Sequence, residues 1–254
     1  MTFGRSILAA TAGILLLVAS ASHALAASVL YYNDFGSSPW DAALSGLGIT
    51  PTLASSDGDF VTKLNPATVD LAIVQFDGNV HSAALNLALL GYIAGGGKVI
   101  FSSVADPQYD AVFSVSQAGF GTINDLLPTT IQIPGGALLV GLSSGLLTVR
   151  DDPNLDTYWR SFDLLLTDPT ATGLATFEDG NLGIVLGRNG RTIINGFGGS
   201  TLYANESSLS HADEVRLYQN EVGLLVTAVP EPATGALLGL GLIITAALGY
   251  RRRK

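Results

Sequence analysis

The stretch Val69-Asp70-Leu71-Ala72-Ile73-Val74-Gln75-Phe76 decides the fold. Its centre, Leu71 to Val74, is continuously apolar rather than alternating. Such a run marks a strand buried on both faces, and strands of that kind belong to parallel sheets covered by helices. The flanking chain repeats the theme. Val29-Leu30-Tyr31-Tyr32 reads as a first buried strand, Ile49 to Leu53 as a second, and Lys98 to Ser102, containing Val99-Ile100-Phe101, as the strand after Val69 to Phe76. Between them lie two helix patterns. Ser38 is an N-cap, Pro39 sits at the first helical position, Asp41 falls three after the cap, and Trp40, Leu44 and Leu47 space an apolar stripe that Gly48 ends. The second helix runs from about Ser82 to Ala94, with Leu85, Leu89, Tyr92 and Ile93 on one side and Gly95-Gly96-Gly97 as its stop. Right-handed crossovers then predict a doubly wound, mostly parallel α/β sheet with helices on both faces.

Beyond Ala105 the pattern loosens into a region rich in Gly, Pro and Asp. A short helix is expected over 156–165 and a meander over 173–197, its strands separated by Asp179-Gly180 and Asn189-Gly190, both strong hairpin signals. Asp57-Gly58-Asp59 reads as a turn. The last helix is expected to open at Ser210, with Asp213 three residues on and a stripe of Val215, Tyr218, Val222 and Leu225.

The two ends carry a different kind of text. Arg5, the apolar run Ile7 to Val18 and Ala24-Leu25-Ala26 form the three regions of a secretory signal peptide, with cleavage expected after Ala26. At the other end, Pro230-Glu231-Pro232 precedes an uncharged apolar run of eighteen residues, Ala233 to Tyr250, and then Arg251, Arg252, Arg253 and Lys254. The prolines place Glu231 on an open linker. At about 1.5 Å per residue the run makes a rod of roughly 27 Å, close to the ~30 Å of a bilayer core, so a transmembrane helix is expected over 233–250. The terminal cations place its end on the cytoplasmic side. The expected organisation is therefore a signal peptide (1–26), an exported domain (27–228) and a sorting tail (229–254).

This tail resembles the PEP-CTERM sorting signal of exopolysaccharide-producing Gram-negative bacteria. The resemblance implies export by the translocase, signal-peptidase processing, recognition at Pro230, Glu231 and Pro232 by an exosortase-type membrane protease, and delivery to the cell surface or extracellular matrix after transient anchoring in the inner membrane. An ordinary, permanent C-terminal membrane anchor is the alternative. The element order of 29–226, ending in Gly190-Arg191-Thr192-Ile193-Ile194-Asn195-Gly196-Phe197 and a helix containing Glu214-Val215-Arg216, resembles the class I glutamine amidotransferase-like fold. In active members a cysteine sits on a Gly-flanked turn after a sheet strand. The comparable turn here, Phe101-Ser102-Ser103-Val104, has neither, and the chain contains no cysteine at all.

Residues 27–228 carry seven Lys or Arg against twenty Asp or Glu, a net charge of −13. Such a surface repels nucleic acid and anionic lipid. Charged residues make up 13% of the chain, well under the roughly 25% of ordinary domains, so Ser, Thr, Asn and Gly must supply much of the polar surface. Without cysteine there are no disulfides and no thiol nucleophile.

A ligand crevice in a parallel sheet lies beyond the C-terminal strand ends, which here carry Asp34, Asp77, Ser102, Ser103 and Asp106, with His81 close by. A Ser-dependent hydrolase of an envelope polymer or peptide would use Ser103 or Ser102 as nucleophile, His81 or His211 as base, and Asp77 or Glu214 to orient it. Asp and Ser in these places more commonly form turns and caps. Asp152, Asn154 and Asp156 alternate as in a calcium loop, with Asp163 twelfth, but Pro153 and Thr157 depart from that pattern. Nothing resembles a phosphate loop or a histidine metal cluster, so no cofactor and no metal is expected. The sequence reading is thus a non-enzymatic binding or structural module associated with exopolysaccharide or biofilm.

Overall fold

The computed structural model describes residues 27–34, 38–76, 82–103, 107–117, 129–150, 162–197 and 208–226. They belong to one unit, Ala27–Val226. The expected signal peptide and the sorting tail, including the expected span 233–250, lie outside the described residues. Among the described residues no helix is long and apolar enough to cross a membrane.

The chain opens with β1 (Val29–Asn33), α1 (Pro39–Gly46), β2 (Thr52–Ala54), α2 (Asp57–Lys63), β3 (Leu71–Phe76), α3 (Ala83–Ala94) and β4 (Val99–Ser103). A 3-10 turn, Pro107–Tyr109, leads into α4 (Asp110–Phe113) and β5 (Val115–Gln117). Then come β6 (Thr129–Gln132), β7 (Leu146–Arg150), β8 (Leu164–Leu166), β9 (Thr172–Phe177), β10 (Leu182–Gly187), β11 (Thr192–Asn195) and α5 (Ser208–Val226). All eleven strands form one mixed sheet, with β2-β1-β3-β4-β11-β10-β9-β6-β7 in sequence across it, β8 beside β10, and β5 on β8. From β2 to β11 neighbouring strands are parallel; beyond β11 they are antiparallel.

Every residue of β3 is buried, as its unbroken apolar run requires. Alternate residues feed two cores. Val29, Tyr31, Leu71, Ile73, Ile100 and Ile193 pack beneath α1 and α5 through Trp40, Ala43, Leu44, Leu217, Tyr218, Val222 and Leu225. Leu30, Tyr32, Ala72, Val74, Phe76, Val99, Phe101 and Ile194 point to the other face, against Phe60 of α2, Leu85, Leu89 and Tyr92 of α3, and Phe113 of α4. Helices therefore cover both faces of the parallel half.

Four local expectations need correction. The second strand begins at Thr52 rather than Ile49, because the Ile49 amide donates to the Leu44 carbonyl and the Gly48 amide to that of Ser45. With Gly48 at φ +70°, this is a Schellman cap, which takes Ile49 out of strand pairing. Asp57-Gly58-Asp59 is the first turn of α2 and not a reversal: the Ser56 Oγ accepts from the Asp59 amide at 3.2 Å, and Asp59 Oδ2 accepts from Lys63 Nζ at 2.7 Å. In the expected helix over 156–165, the residues from Leu164 onward form β8 instead, because Leu164 pairs with Leu182 of β10; 156–161 lie outside the described residues. The final helix starts at Ser208, and Asp213 does not cap it. Its carboxylate accepts from the amide and hydroxyl of Ser143.

The meander over 173–197 is present as β9, β10 and β11, with Gly180 at φ +88° and Gly190 at φ +79° in its turns. Its last strand has a second role. β11 also lies parallel to β4, pairing Thr192 with Val99 and Asn195 with Ser102.

Candidate functional site

Parallel pairing in register sets one residue from each of four strands in a row near the C-terminal edge: Asn33, Gln75, Ser102 and Asn195. Each stands two residues after a core residue of the α1 and α5 face, so period-two alternation places the row on that same face. The two helices close over it. Ser38, the N-cap of α1, accepts from the Trp40 amide at 3.2 Å and donates its hydroxyl to Gln75 Oε1 at 2.5 Å. The α1 start is thereby tied to β3.

From the other helix, Glu214, Tyr218 and Glu221 descend onto the row at positions i, i+4 and i+7, which share one helical face. Asn195 Nδ2 donates to Ser102 Oγ at 3.0 Å and to Glu221 Oε2 at 3.1 Å. The Tyr218 hydroxyl reaches Glu214 Oε1 at 3.5 Å, and Ser102 on its other side. Its ring stacks on Trp40, with centroids 4.2 Å apart and planes 23° apart.

Burial governs the protonation of this cluster. Taken out of water, Glu221 has its pKa pushed up to about 8, with the Asn195 amide opposing the shift. Glu214 is raised well above the carboxylate range, first by burial and further by Glu221. Tyr218 is raised for the same reasons. Burial thus favours the protonated form of both acids and, with it, a neutral hydrogen-bonding assembly. Several of its buried polar atoms have no hydrogen-bond partner, among them Gln75 Nε2, Trp40 Nε1, Glu214 Oε2 and Glu221 Oε1.

This arrangement bears directly on the residues singled out from sequence. Ser102 is fully buried and receives a hydrogen bond from the Asn195 amide, while burial disfavours the charged form of the two nearby carboxyls and so weakens them as bases. Ser103 ends β4, and only its backbone is described. The Asp34 amide donates to the Gln75 carbonyl at 3.4 Å. Glu214 lies inside the cluster, four residues before Tyr218. His211 falls in the first turn of α5, with its side chain outside the described set. Asp77, His81, Asp106, Asp152, Asn154 and Asp156 lie outside the described residues, as do Ala24, Ala26, Pro230, Glu231, Pro232, Arg251, Arg252 and Arg253. Among the described residues no group of three His, Asp or Glu side chains is placed to hold a metal ion.

Gln75, Asn195 and Glu221 did not stand out in the sequence. A signal for the glutamates existed, since Glu214 and Glu221 fall on the same 3.6-residue stripe as Tyr218 and Leu225. Gln75 and Asn195 carry no such local mark.

Residues 228–254 match the PEP-CTERM protein-sorting motif, so the chain carries the signal of an exosortase-sorted extracellular protein, exported and transiently anchored through its C-terminus. The α/β unit is similar in fold to a Thermoplasma acidophilum protein assigned as part of a GMP synthase, at 13% identity and TM-score 0.55, over 80% of this chain and 96% of that one. It is also similar to a glutamine amidotransferase from Thermotoga maritima, at 8% identity and TM-score 0.53, over 79% and 98%. At such identities the likeness shows the fold alone. No curated protein matches the chain.

Proposed function

We propose that the exported α/β domain is a non-catalytic binding or structural module, delivered to the cell surface or extracellular matrix and associated there with extracellular polysaccharide. The observation that carries the non-catalytic part is the state of Ser102. The one buried serine of the strand-end row accepts from the Asn195 amide and faces the Tyr218 hydroxyl, while burial disfavours the charged, proton-accepting form of Glu214 and Glu221 nearby. A nucleophilic serine needs a base that accepts its proton, and a donor in that place works against it.

The handling of the ends completes the reading. Signal peptidase removes 1–26, an exosortase-type protease acts at Pro230-Glu231-Pro232, and the tail from Arg251 to Lys254 stays cytoplasmic until then. Fluorophosphonate labelling of the purified protein tests the first part: no label is expected, and a label lost on Ser103→Ala or Ser102→Ala restores the hydrolase. Intact-mass analysis of surface-released protein tests the second. A C-terminus near Pro232 is expected, whereas cell-associated protein that always retains Arg251 to Lys254 establishes permanent anchoring instead.

A further inference from the structure

At the opposite edge of the sheet, where β11 begins, the β10–β11 turn and the C-terminal end of α3 frame a cleft of about 470 Å³. Two of the seven cations of residues 27–228 line it, Arg188 and Arg191, in a portion of the chain that carries a net charge of −13. Leu90 and Ile93 form an apolar wall, and Asp168 and Asn189 complete the lining. The backbone here is unusual. Among the described residues three non-glycines have positive φ, namely Ser114 (64°), Arg188 (51°) and Asn189 (55°). Two of them line the cleft, and the third donates its hydroxyl to Asp168 Oδ2 at 3.4 Å. At Arg188 and Asn189 this is the positive φ that a tight hairpin turn requires at its two central residues, closed by the Gly190 amide donating to the Gly187 carbonyl at 3.0 Å. The turn itself thus sets Arg188 at the cleft.

The guanidinium groups are anchored on backbone carbonyls, and Arg188 also lies within electrostatic reach of Asp168. Arg188 donates Nε to the Val112 carbonyl at 2.9 Å and Nη2 to that of Ala111; Arg191 donates Nη1 to the Ile93 carbonyl at 3.1 Å. Each fork carries five N–H donors, so these contacts fix the side chains and use a minority of their donors. Asp168 is an acceptor held in place by the amide and hydroxyl of Thr170, both at 2.8 Å on Oδ1.

We infer that this cleft binds a carboxylated sugar of the uronic-acid type. Its carboxylate is taken by Arg188 and Arg191, its hydroxyls donate to Asp168, and the C–H face of its ring lies on Leu90 and Ile93. The acceptor favours a ligand whose hydroxyls stand apart from its charge: Asp168 repels any anion set against it, phosphate included, and pairs with a hydroxyl. A sugar that reaches the arginines with its carboxylate and Asp168 with its ring hydroxyls thus fits where a compact oxyanion does not. The inference goes beyond the reading above and concerns the other edge of the sheet, so its failure leaves that reading standing.

The test is calorimetric titration of the full chain in detergent with tetragalacturonate, its fully methyl-esterified form and inorganic phosphate. The acid tetramer is expected to bind, and the ester about tenfold or more weakly, as loss of a charge-assisted pair implies. Arg188→Ala removes ties to α4 and can disturb folding, so the deciding variant is the exposed Arg191→Gln. It gives up one bond, to the Ile93 carbonyl, and is expected to weaken the acid tetramer about tenfold with only a small fall in melting temperature. Asp168→Asn is expected to leave the fold intact and make phosphate bind more tightly. No binding of the acid tetramer, equal binding by Arg191→Gln, or equal affinity for the ester or for phosphate in the unmodified chain overturns the inference.

Discussion

Asn195 Nδ2 and Glu221 Oε2 stand 3.1 Å apart with both side chains buried, joining the C-terminal end of β11 to the middle of α5. Because the same amide nitrogen also holds Ser102, the contact couples three elements that are far apart in sequence: β4, β11 and the last helix.

Burial of Glu221 sets a pH dependence, against the opposing pull of the Asn195 amide. Glu221 has a folded pKa of about 8 against an ordinary value of 4.5, so the folded state holds a proton that the unfolded state has lost between those values. Stability from this group is fully present below about pH 4.5 and is lost as pH rises toward 8, at roughly 1.4 kcal/mol per pH unit. Glu214, shifted in the same direction, adds to the slope. Melting temperature is expected to fall from pH 5 to pH 8. Glu221→Gln keeps an acceptor for Asn195 and is expected to flatten that fall; the same slope in the variant and the parent contradicts the assignment.

The stacked pair of Trp40 and Tyr218 joins α1 to α5 over the polar row. Trp40→Ala is expected to destabilise by about 3–5 kcal/mol, the usual cost of emptying a large aromatic site. Tyr218→Phe keeps the ring and removes a hydroxyl with a long 3.5 Å contact, so its cost is expected to be about 1 kcal/mol or less. Urea denaturation of the two variants distinguishes a packing role from a hydrogen-bonding one.

Gly196 lies where backbone meets backbone: its carbonyl accepts from the Phe162 amide at 2.6 Å, and its amide donates to the Gly183 carbonyl at 2.8 Å. A methyl group there would run into the Phe162 carbonyl oxygen. Gly196→Ala is expected to cost about 1–3 kcal/mol in thermal or urea unfolding, whereas Gly223→Ala, with open space around the added carbon, is expected to be neutral or mildly stabilising.

Lys98 Nζ donates to the Leu225 carbonyl at 2.6 Å, placing a cation at the C-terminal end of α5. Lys98→Met is expected to cost about 1 kcal/mol. Hydrogen exchange is expected to show faster opening confined to the last turn, with the amides of β3 unaffected.

Much of the parallel half was legible because its signals are local. An unbroken apolar run at Leu71 to Val74, a Ser-Pro helix start at 38–39 and an Asn-Gly turn at 189–190 each state their conformation within a dozen residues. Where reading failed, a competing local bond decided: the Gly48 cap took Ile49 from its strand, and Ser56 with Asp59 made a helix of an apparent turn. The C-terminal address was likewise legible, since the order of Pro-Glu-Pro, apolar run and cations is a property of sequence alone, and the sorting motif at 228–254 matches as such.

What the sequence by itself determined, then, is the kind of β1, α1, β3, α3 and β4 and the address at the C-terminus. Tertiary structure alone decided that β11 lies parallel beside β4, some ninety residues earlier in the chain, and that Glu214 and Glu221 are buried where their charged forms are disfavoured. Strand order depends on which edges meet after long loops close, and a carboxyl's charge depends on what covers it. Neither is written in the residues next to it.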